Sequence, residues 1–110
     1  MANILMNSFR IEEEKRETHM GPTLDVTRIW YIESDNSREI QEIIEEEFKK
    51  EFSTRNVFKY LSVEQKENGI VFVYFSVKLD YANVSKVKRQ QFVGKQSCMM
   101  RRISDRLKAL

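Results

Sequence analysis

Residues 57–79 read VFKYLSVEQKENGIVFVYFSVKL and contain the clearest structural signal in this chain. Two β-rich runs, residues 57–64 and 70–79, are joined through residues 65–69, whose Asn-Gly pair supplies the left-handed conformations that a hairpin turn needs. This pattern predicts an antiparallel hairpin. Alternate positions of the second run are apolar without interruption, which predicts a core face. That face consists of Val71, Val73, Phe75, Val77 and Leu79.

The opposite face of the second run changes from apolar to charged along its length. It consists of Ile70, Phe72, Tyr74, Ser76 and Lys78. We expect neighbouring strands to add further rings to this half-exposed face, namely Phe58 and Tyr60 or Ile29 and Tyr31. Unless residues 1–21 or a second copy of the chain cover them, rings on an open sheet can stack on unpaired bases.

A strand and a helix precede the hairpin. Residues 23–32 alternate in the period-2 pattern of a strand. Asn36 and Glu39 have the spacing of a capping box and open an apolar stripe with helical spacing, which predicts a helix over residues 37–52. The stripe consists of Ile40, Ile43, Ile44, Phe48 and Phe52. The acidic opposite face of this helix is expected to face water.

The segment after the hairpin has a pattern that fits two kinds of secondary structure. Residues 84–93 fit either a polar edge strand or the start of a helix, and Gly94 favours the strand, because a mid-helix glycine costs about 1 kcal/mol relative to alanine. From Ser97 onward apolar residues repeat with helical spacing, which predicts a closing amphipathic helix. These residues are Met99, Met100, Ile103, Leu107 and Leu110, with the methionines as core residues.

These elements predict an α+β fold with the order β-α-β-β-β-α. Two amphipathic helices and a sheet with one strongly apolar face form a two-layer sandwich when both helices pack on that face of an antiparallel sheet. We place this single α+β domain at residues 23–110. Residues 1–22 are predicted to form an N-terminal arm, with a short helix or a disordered segment as the alternatives.

Composition excludes several classes of protein. With 110 residues the chain is long enough for one domain, and a single cysteine and a single histidine, Cys98 and His19, exclude a disulfide scaffold and a zinc finger. We expect no metal and no cofactor. No stretch approaches the roughly 18 apolar residues of a membrane span, and the start lacks the features of a secretory signal, so we expect a cytoplasmic protein without a membrane partner.

The chain does not have the residue pattern of an enzyme. His19 has no neighbouring nucleophile signature and is expected on a surface loop, and the three glycines are isolated, so no phosphate-binding loop is present. The carboxylates of the acidic helix face water, where they are poor acids and bases. Cys98 is expected to be a buried, inert thiol. We therefore predict a non-enzymatic protein.

Charge is divided along the chain. Residues 1–81 contain 11 Lys/Arg against 16 Asp/Glu, whereas residues 82–110 contain 8 against 1, a balance of +7. An end this basic points to a polyanion or an acidic protein surface as partner. The candidate contact residues are Lys86, Lys88, Arg89, Lys95, Arg101, Arg102 and Arg106. The alternative is that these side chains are merely solvated or pair with the acidic helix of the same molecule.

Three of these residues would form a stripe on the last helix. Lys95, Arg102 and Arg106 lie within about 40° of one another on a helical wheel, in steps of seven and four residues. Such a stripe can meet successive phosphates. We expect it to be open to the outside.

The predicted layout of the last five elements, helix, three antiparallel strands and helix, resembles double-stranded-RNA-binding domains. With the leading strand it is similar to ribosome-hibernation factors. The double-stranded-RNA-binding family places a Lys-rich turn before its last helix to meet phosphates, and the matching stretch here is residues 94–102, with Lys95 at the turn. The resemblance implies RNA as a ligand.

Two functional hypotheses follow. The first is a small nucleic-acid-binding protein, RNA slightly favoured over DNA, that meets phosphates through the basic C-terminal helix and bases through Phe72 and Tyr74. The alternative is a protein-interaction module, such as an accessory or inhibitory protein of a phage or mobile element, or an assembly subunit. In that case the aromatic face and residues 1–21 form an interface, which includes the case of a homodimer.

Overall fold

The computed structural model describes residues 3–15, 22–52, 57–80 and 85–110, with side chains described from Asp25 onward except Asn68 and Asp80. His19 lies outside the described residues. The elements in chain order are β1 (Asn3–Lys15), β2 (Pro22–Glu33), α1 (Ser37–Glu51), β3 (Val57–Gln65), β4 (Ile70–Asp80) and α2 (Lys86–Lys108).

The four described strands form one antiparallel sheet in the order β1-β2-β4-β3. The predicted hairpin is confirmed as β3 and β4, which are joined by a short helical turn over Glu67–Gly69. Gly69 has φ +69°, the left-handed conformation that favours glycine. Its carbonyl accepts a 2.8 Å hydrogen bond from the amide of Ser34, which ties the hairpin to the end of β2.

The core lies between one face of the sheet and the two helices. All five predicted core residues of β4 are buried, as are Val26, Trp30 and Ile32 of β2. Helix α1 contributes Ile40, Ile43 and Ile44, and α2 contributes Phe92, Met99, Met100, Ile103 and Leu107. The indole of Trp30 donates a 3.3 Å hydrogen bond to Oγ of Ser104, which satisfies the polar end of the largest core side chain. The predicted α+β sandwich is confirmed.

Helix α1 begins at the predicted capping box. Oδ1 of Asn36 accepts from the amide of Glu39 at 3.1 Å, and the Asn36 amide group donates to the Glu39 carboxylate at 2.7 Å. Both contacts stabilise the first turn, where backbone amides lack partners within the helix. The cap therefore sets where the chain turns from β2 into α1.

The predicted strand over residues 84–93 is wrong, because residues 86–93 form the first turns of α2. Ser85 caps the helix by accepting from the amide of Lys88 at 3.3 Å, and the helix continues through Gly94 without a break. Burying Phe92 contributes about 1.5–3 kcal/mol, which exceeds the cost of a glycine inside a helix.

Within the described ranges, neither helix is long and apolar enough to cross a membrane.

The N-terminal segment adds a strand that the sequence pattern did not reveal. Over Asn3–Lys15 the chain pairs with β2 as β1, with an irregularity in register between Ile4 and Met6. The described order is therefore β-β-α-β-β-α. The predicted order β-α-β-β-β-α lacks β1 and places an additional strand before the last helix. Among the described residues two strands, β3 and β4, lie between the helices, so they do not show the three-strand layout on which the resemblance to double-stranded-RNA-binding domains rests.

Candidate interaction surface

The side of the sheet that faces away from the helices is rich in rings. Side chains alternate between the two faces of a strand, so the neighbours of the core residues point outward. In the part of the sheet whose side chains are described, this outward set, which we call the open face, consists of Asp25, Thr27, Ile29, Tyr31, Glu33, Phe58, Tyr60, Ser62, Glu64, Ile70, Phe72, Tyr74, Ser76 and Lys78. Both described helices lie on the other side. The aromatic face predicted from the sequence is therefore present.

Rings of neighbouring strands touch across the open face. Tyr31 and Phe72 lie opposite each other, with ring centroids 5.1 Å apart, and Tyr60 packs edge-on against Tyr74 at 5.9 Å. At the edge of the sheet Phe58 is 50% exposed and Tyr60 is 63% exposed. Both are side chains that normally gain from burial, and here they project from the edge strand β3.

Small side chains leave a depression of about 590 Å³ between these rings. Its floor includes Thr27, Ser62 and Ser76, and the Thr27 hydroxyl donates to the Ser76 hydroxyl at 3.4 Å. Rings of Tyr60, Phe72 and Tyr74 line it, and Asp25 and Lys78 complete its lining. A depression with mostly apolar walls and hydroxyls on its floor can accept an apolar or aromatic side chain.

Both lysines described on this side of the sheet lie beside carboxylates. Lys78 lies 3.5 Å from the carboxylate of Asp25, and Lys66 lies 2.6 Å from that of Glu64. The hydrogen bond to Glu64 raises the pKa of Lys66, which keeps the lysine charged and paired. With Glu33 as a third carboxylate, the described residues on this side carry no excess of positive charge with which to attract phosphates.

The nine residues predicted to bind nucleic acid are not brought together. Phe72 and Tyr74 lie on the open face, whereas Lys86, Lys88, Arg89, Lys95, Arg101, Arg102 and Arg106 all lie on α2, on the other side of the sheet. The sheet separates the two groups. A single nucleic-acid strand whose bases stack on these rings therefore cannot reach the cations of α2 directly.

Two of the predicted arginines are engaged by the acidic helix. Arg102 donates to Glu47 at 2.9 Å and to Glu51 at 2.8 Å, and Arg106 donates to Glu47 at 3.1 Å and to Glu46 at 3.0 Å. Glu47 is only 3% exposed and joins both guanidinium groups between the helices. The expected open stripe of Lys95, Arg102 and Arg106 is therefore interrupted, because its two arginines cross-link α2 to α1.

The network also determines the ionisation of Glu47. Burial alone would raise its pKa, but the hydrogen bonds from Arg102 and Arg106, with help from Lys50 at 3.5 Å, outweigh burial and lower the pKa below the usual value of a glutamate. Glu47 is therefore charged at neutral pH. A buried charge in this position is stabilised only while its partners stay in place.

Other cations of α2 project away from the acidic helix's carboxylates. Lys86, Lys88, Lys95 and Arg101 are exposed and make no ion pair with any residue in the described ranges. Arg89 is half-buried. Of the positive charge that sequence analysis assigned to the C-terminal end, these four positions and Lys108, which is also exposed, remain available to a partner.

Three polar residues of the described helices, Glu47, Gln96 and Ser104, are buried and were not identified from the sequence, and a signal was available for the first two. Glu47 follows Ile43 and Ile44 by four and three residues, and Gln96 follows Phe92 by four, so both occupy positions in an apolar stripe. A polar residue at a stripe position was the available signal. Cys98 was predicted to be buried, but its place on the outer side of α2 leaves it exposed.

Comparison with known proteins gives a fold and no function. No protein-family model matches the chain, and no curated protein matches it. Among solved structures it is similar to a de novo designed protein, Foldit4, at 20% identity and a TM-score of 0.50, over 79% of this chain and 80% of that one. A likeness at this identity supports the fold alone.

In the described part of the chain no three potential metal ligands lie together.

Proposed function

We propose that this chain is a non-catalytic protein-interaction module and that the open face of its sheet is the contact surface. The observation that supports the proposal is the pair of projecting rings, Phe58 and Tyr60, beside a ring-lined depression. Tyrosine and phenylalanine are enriched at the buried centres of protein interfaces, where pocket-filling rings supply most of the binding energy.

Electrostatics favour a protein over a nucleic acid as the partner of this face. Binding a single strand combines base stacking with cations that follow the phosphates. The lysines beside these rings, Lys66 and Lys78, are already paired with carboxylates. A face with rings, hydroxyls and paired lysines is better matched to a protein interface, whose apolar centre is depleted in charge.

Photocrosslinking tests this proposal directly. With p-benzoylphenylalanine in place of Tyr60, we expect adducts to polypeptide in the native host. We expect the additional substitution Phe58→Glu to lower the adduct yield about tenfold, because a charge in the centre of an interface must be desolvated. Mass spectrometry of the adducts identifies their class.

The matched control places the same photoreactive residue at Val87, an equally exposed apolar position on α2. Adducts from position 87 should not respond to Phe58→Glu. Adducts to RNA or DNA at position 60, or polypeptide adducts that are insensitive to Phe58→Glu, would contradict the proposed interface.

A second candidate function is supported by the unpaired cations of α2. Four exposed cations without carboxylate partners, Lys86, Lys88, Lys95 and Arg101, could contact the phosphates of a nucleic acid. Lys88 and Lys95 are seven residues apart, two helical turns, and so lie on the same side of the helix. This site would act without the rings of the open face.

For this second function we expect a measurable salt dependence. If all four cations contact single-stranded RNA, a plot of log affinity against log salt should have a slope of about −3, since each phosphate contributes about −0.7. The double substitution Lys88→Glu with Lys95→Glu should bring the slope close to −1. Fluorescence anisotropy with labelled RNA, and with DNA of the same sequence, measures both.

Lys49→Glu is the control, because Lys49 is an exposed lysine on the acidic helix. A slope near zero, or an equal loss with Lys49→Glu, would exclude α2 as the phosphate contact.

Charge reversal at Arg102 and Arg106 is unsuitable for this test. It would set new carboxylates against Glu46, Glu47 and Glu51 and disrupt the fold.

A further inference from the structure

We infer that the partner of the open face is a second copy of this chain, with Phe58 of each copy inserted into the depression of the other. This inference rests on the proposed function, since it names the occupant of the same face. The result is a two-fold symmetric dimer in which two sheets pack face to face between outer layers of helices.

Shape is the first argument. A two-fold interface must be self-complementary, so one face has to contain both the projecting part and the recess that receives it. Phe58 projects from β3 next to the depression but does not line it, whereas Tyr60 and Ser62 of the same strand do. The recess of about 590 Å³ is large enough for a phenylalanine ring. Both parts of a reciprocal contact are thus present on one surface.

Charge is the second argument. The ion pairs Asp25–Lys78 and Glu64–Lys66 neutralise four of the charged side chains described on this side of the sheet, which limits the repulsion between two identical faces. The outer side of α1, by contrast, is rich in glutamate, and exposed lysines lie along α2. Among the described residues, the sheet therefore presents less uncompensated like charge to its own copy than the outer side of either helix.

Area is the third argument. Four strands of 13, 12, 9 and 11 residues, spaced by about 4.8 Å and rising about 3.3 Å per residue, give a projected face of roughly 700 Å². A stable interface of standard size buries about 800 Å² on each partner. The whole sheet, including β1 at its edge, therefore offers about the surface that a dimer requires.

Sedimentation velocity on the purified chain tests the dimer. We expect a species of twice the 13.2 kDa chain mass at about 100 μM, and a dissociation constant that changes little with salt. Phe58→Glu should raise the dissociation constant about thirtyfold or more, since the symmetric dimer loses both insertions. Val87→Glu, at a position 62% exposed on α2, should leave it unchanged.

Mixing two variants tests the reciprocal insertion itself. Ser62→Arg fills the depression and should also give a monomer, but an equal mixture of Ser62→Arg and Phe58→Glu chains should form heterodimers. Phe58 of the Ser62→Arg chain then enters the unchanged depression of the other chain. In the second contact, the glutamate introduced at position 58 lies next to the arginine introduced at position 62. Heterodimers should be at least about tenfold tighter than either homodimer. Circular dichroism establishes that both variants are folded.

Each result has a distinct consequence. A wild-type chain that is monomeric at about 100 μM overturns the dimer, as does a dimer that Val87→Glu weakens as much as Phe58→Glu does. A dimer whose variants fail to form heterodimers overturns the reciprocal insertion. If the chain is monomeric while Phe58-dependent polypeptide adducts still form at position 60, the interaction surface stands and its partner is another protein.

Discussion

Replacing Glu47 with alanine is expected to lower the free energy of unfolding by about 2–4 kcal/mol. The carboxylate accepts hydrogen bonds from both Arg102 and Arg106 and is almost completely buried between the helices. Without it, two neighbouring guanidinium groups lose their shared acceptor. The arginines are partly exposed and can recover some hydration, so we expect a loss somewhat below that of a fully buried pair. Urea denaturation measures the loss.

Glu42→Ala is the control for this prediction. Within the described part of the chain Glu42 pairs with Arg38, one helical turn away on the same helix, at 3.5 Å and in an exposed position. Such pairs contribute about 0.3–0.5 kcal/mol, so this variant should be close to wild type. Equal effects at positions 42 and 47 would show that the interhelical network does not contribute to stability.

The pH dependence separates the charge of Glu47 from its packing. The pKa of Glu47 in the folded state lies below its value in the unfolded state. The stabilising contribution of the charge is therefore complete above the unfolded-state pKa of about 4.3 and is lost as the pH falls through the folded-state pKa. Wild type should therefore lose stability faster than Glu47→Gln on acidification. The stability difference between the two should shrink below about pH 4. A constant difference would contradict this account.

Replacing Gln96 with methionine is expected to raise the free energy of unfolding by about 1–3 kcal/mol. Gln96 is completely buried in α2, and neither Oε1 nor Nε2 has a hydrogen-bond partner in the described structure. The amide therefore loses its hydration without compensation. Methionine has a similar length, is unbranched and lacks polar ends, so it should fill the same space among Phe92, Met99 and Met100.

Thermal and urea denaturation measure this gain, which should appear as a rise of several degrees in Tm for each kcal/mol. Gln91→Met, at an exposed position of the same helix, should change stability by less than about 0.5 kcal/mol. If Gln96→Met destabilises the protein, the amide has a partner in solution, and the core around it is packed differently.

The two layers of the fold explain why one chain supports two candidate surfaces. Rings project from the open face, whereas the unpaired cations lie on α2, and the sheet separates them. The dimer of the open face would leave Lys88 and Lys95 accessible on its outer layers. Protein contact and phosphate contact can therefore be tested independently, by substitutions at Phe58 and at these lysines.

Local patterns in the sequence were sufficient for much of the fold and for the open face. The period-2 alternation of β4 depends only on neighbouring residues, so it identified both the core side and the ring-bearing side of the sheet. The capping box at Asn36 likewise acts within one helical turn, and α1 begins where it predicts.

Features that depend on residues distant in the chain could not be derived in this way. Whether residues 84–93 form a strand or a helix depended on what Phe92 packs against, and β1 exists through its pairing with β2. The state of Arg102 and Arg106 depended on the register between α1 and α2, which brings Glu47 within 3.1 Å of both. Alternation and capping are properties of adjacent residues, whereas pairing and charge compensation arise only when separate elements pack together.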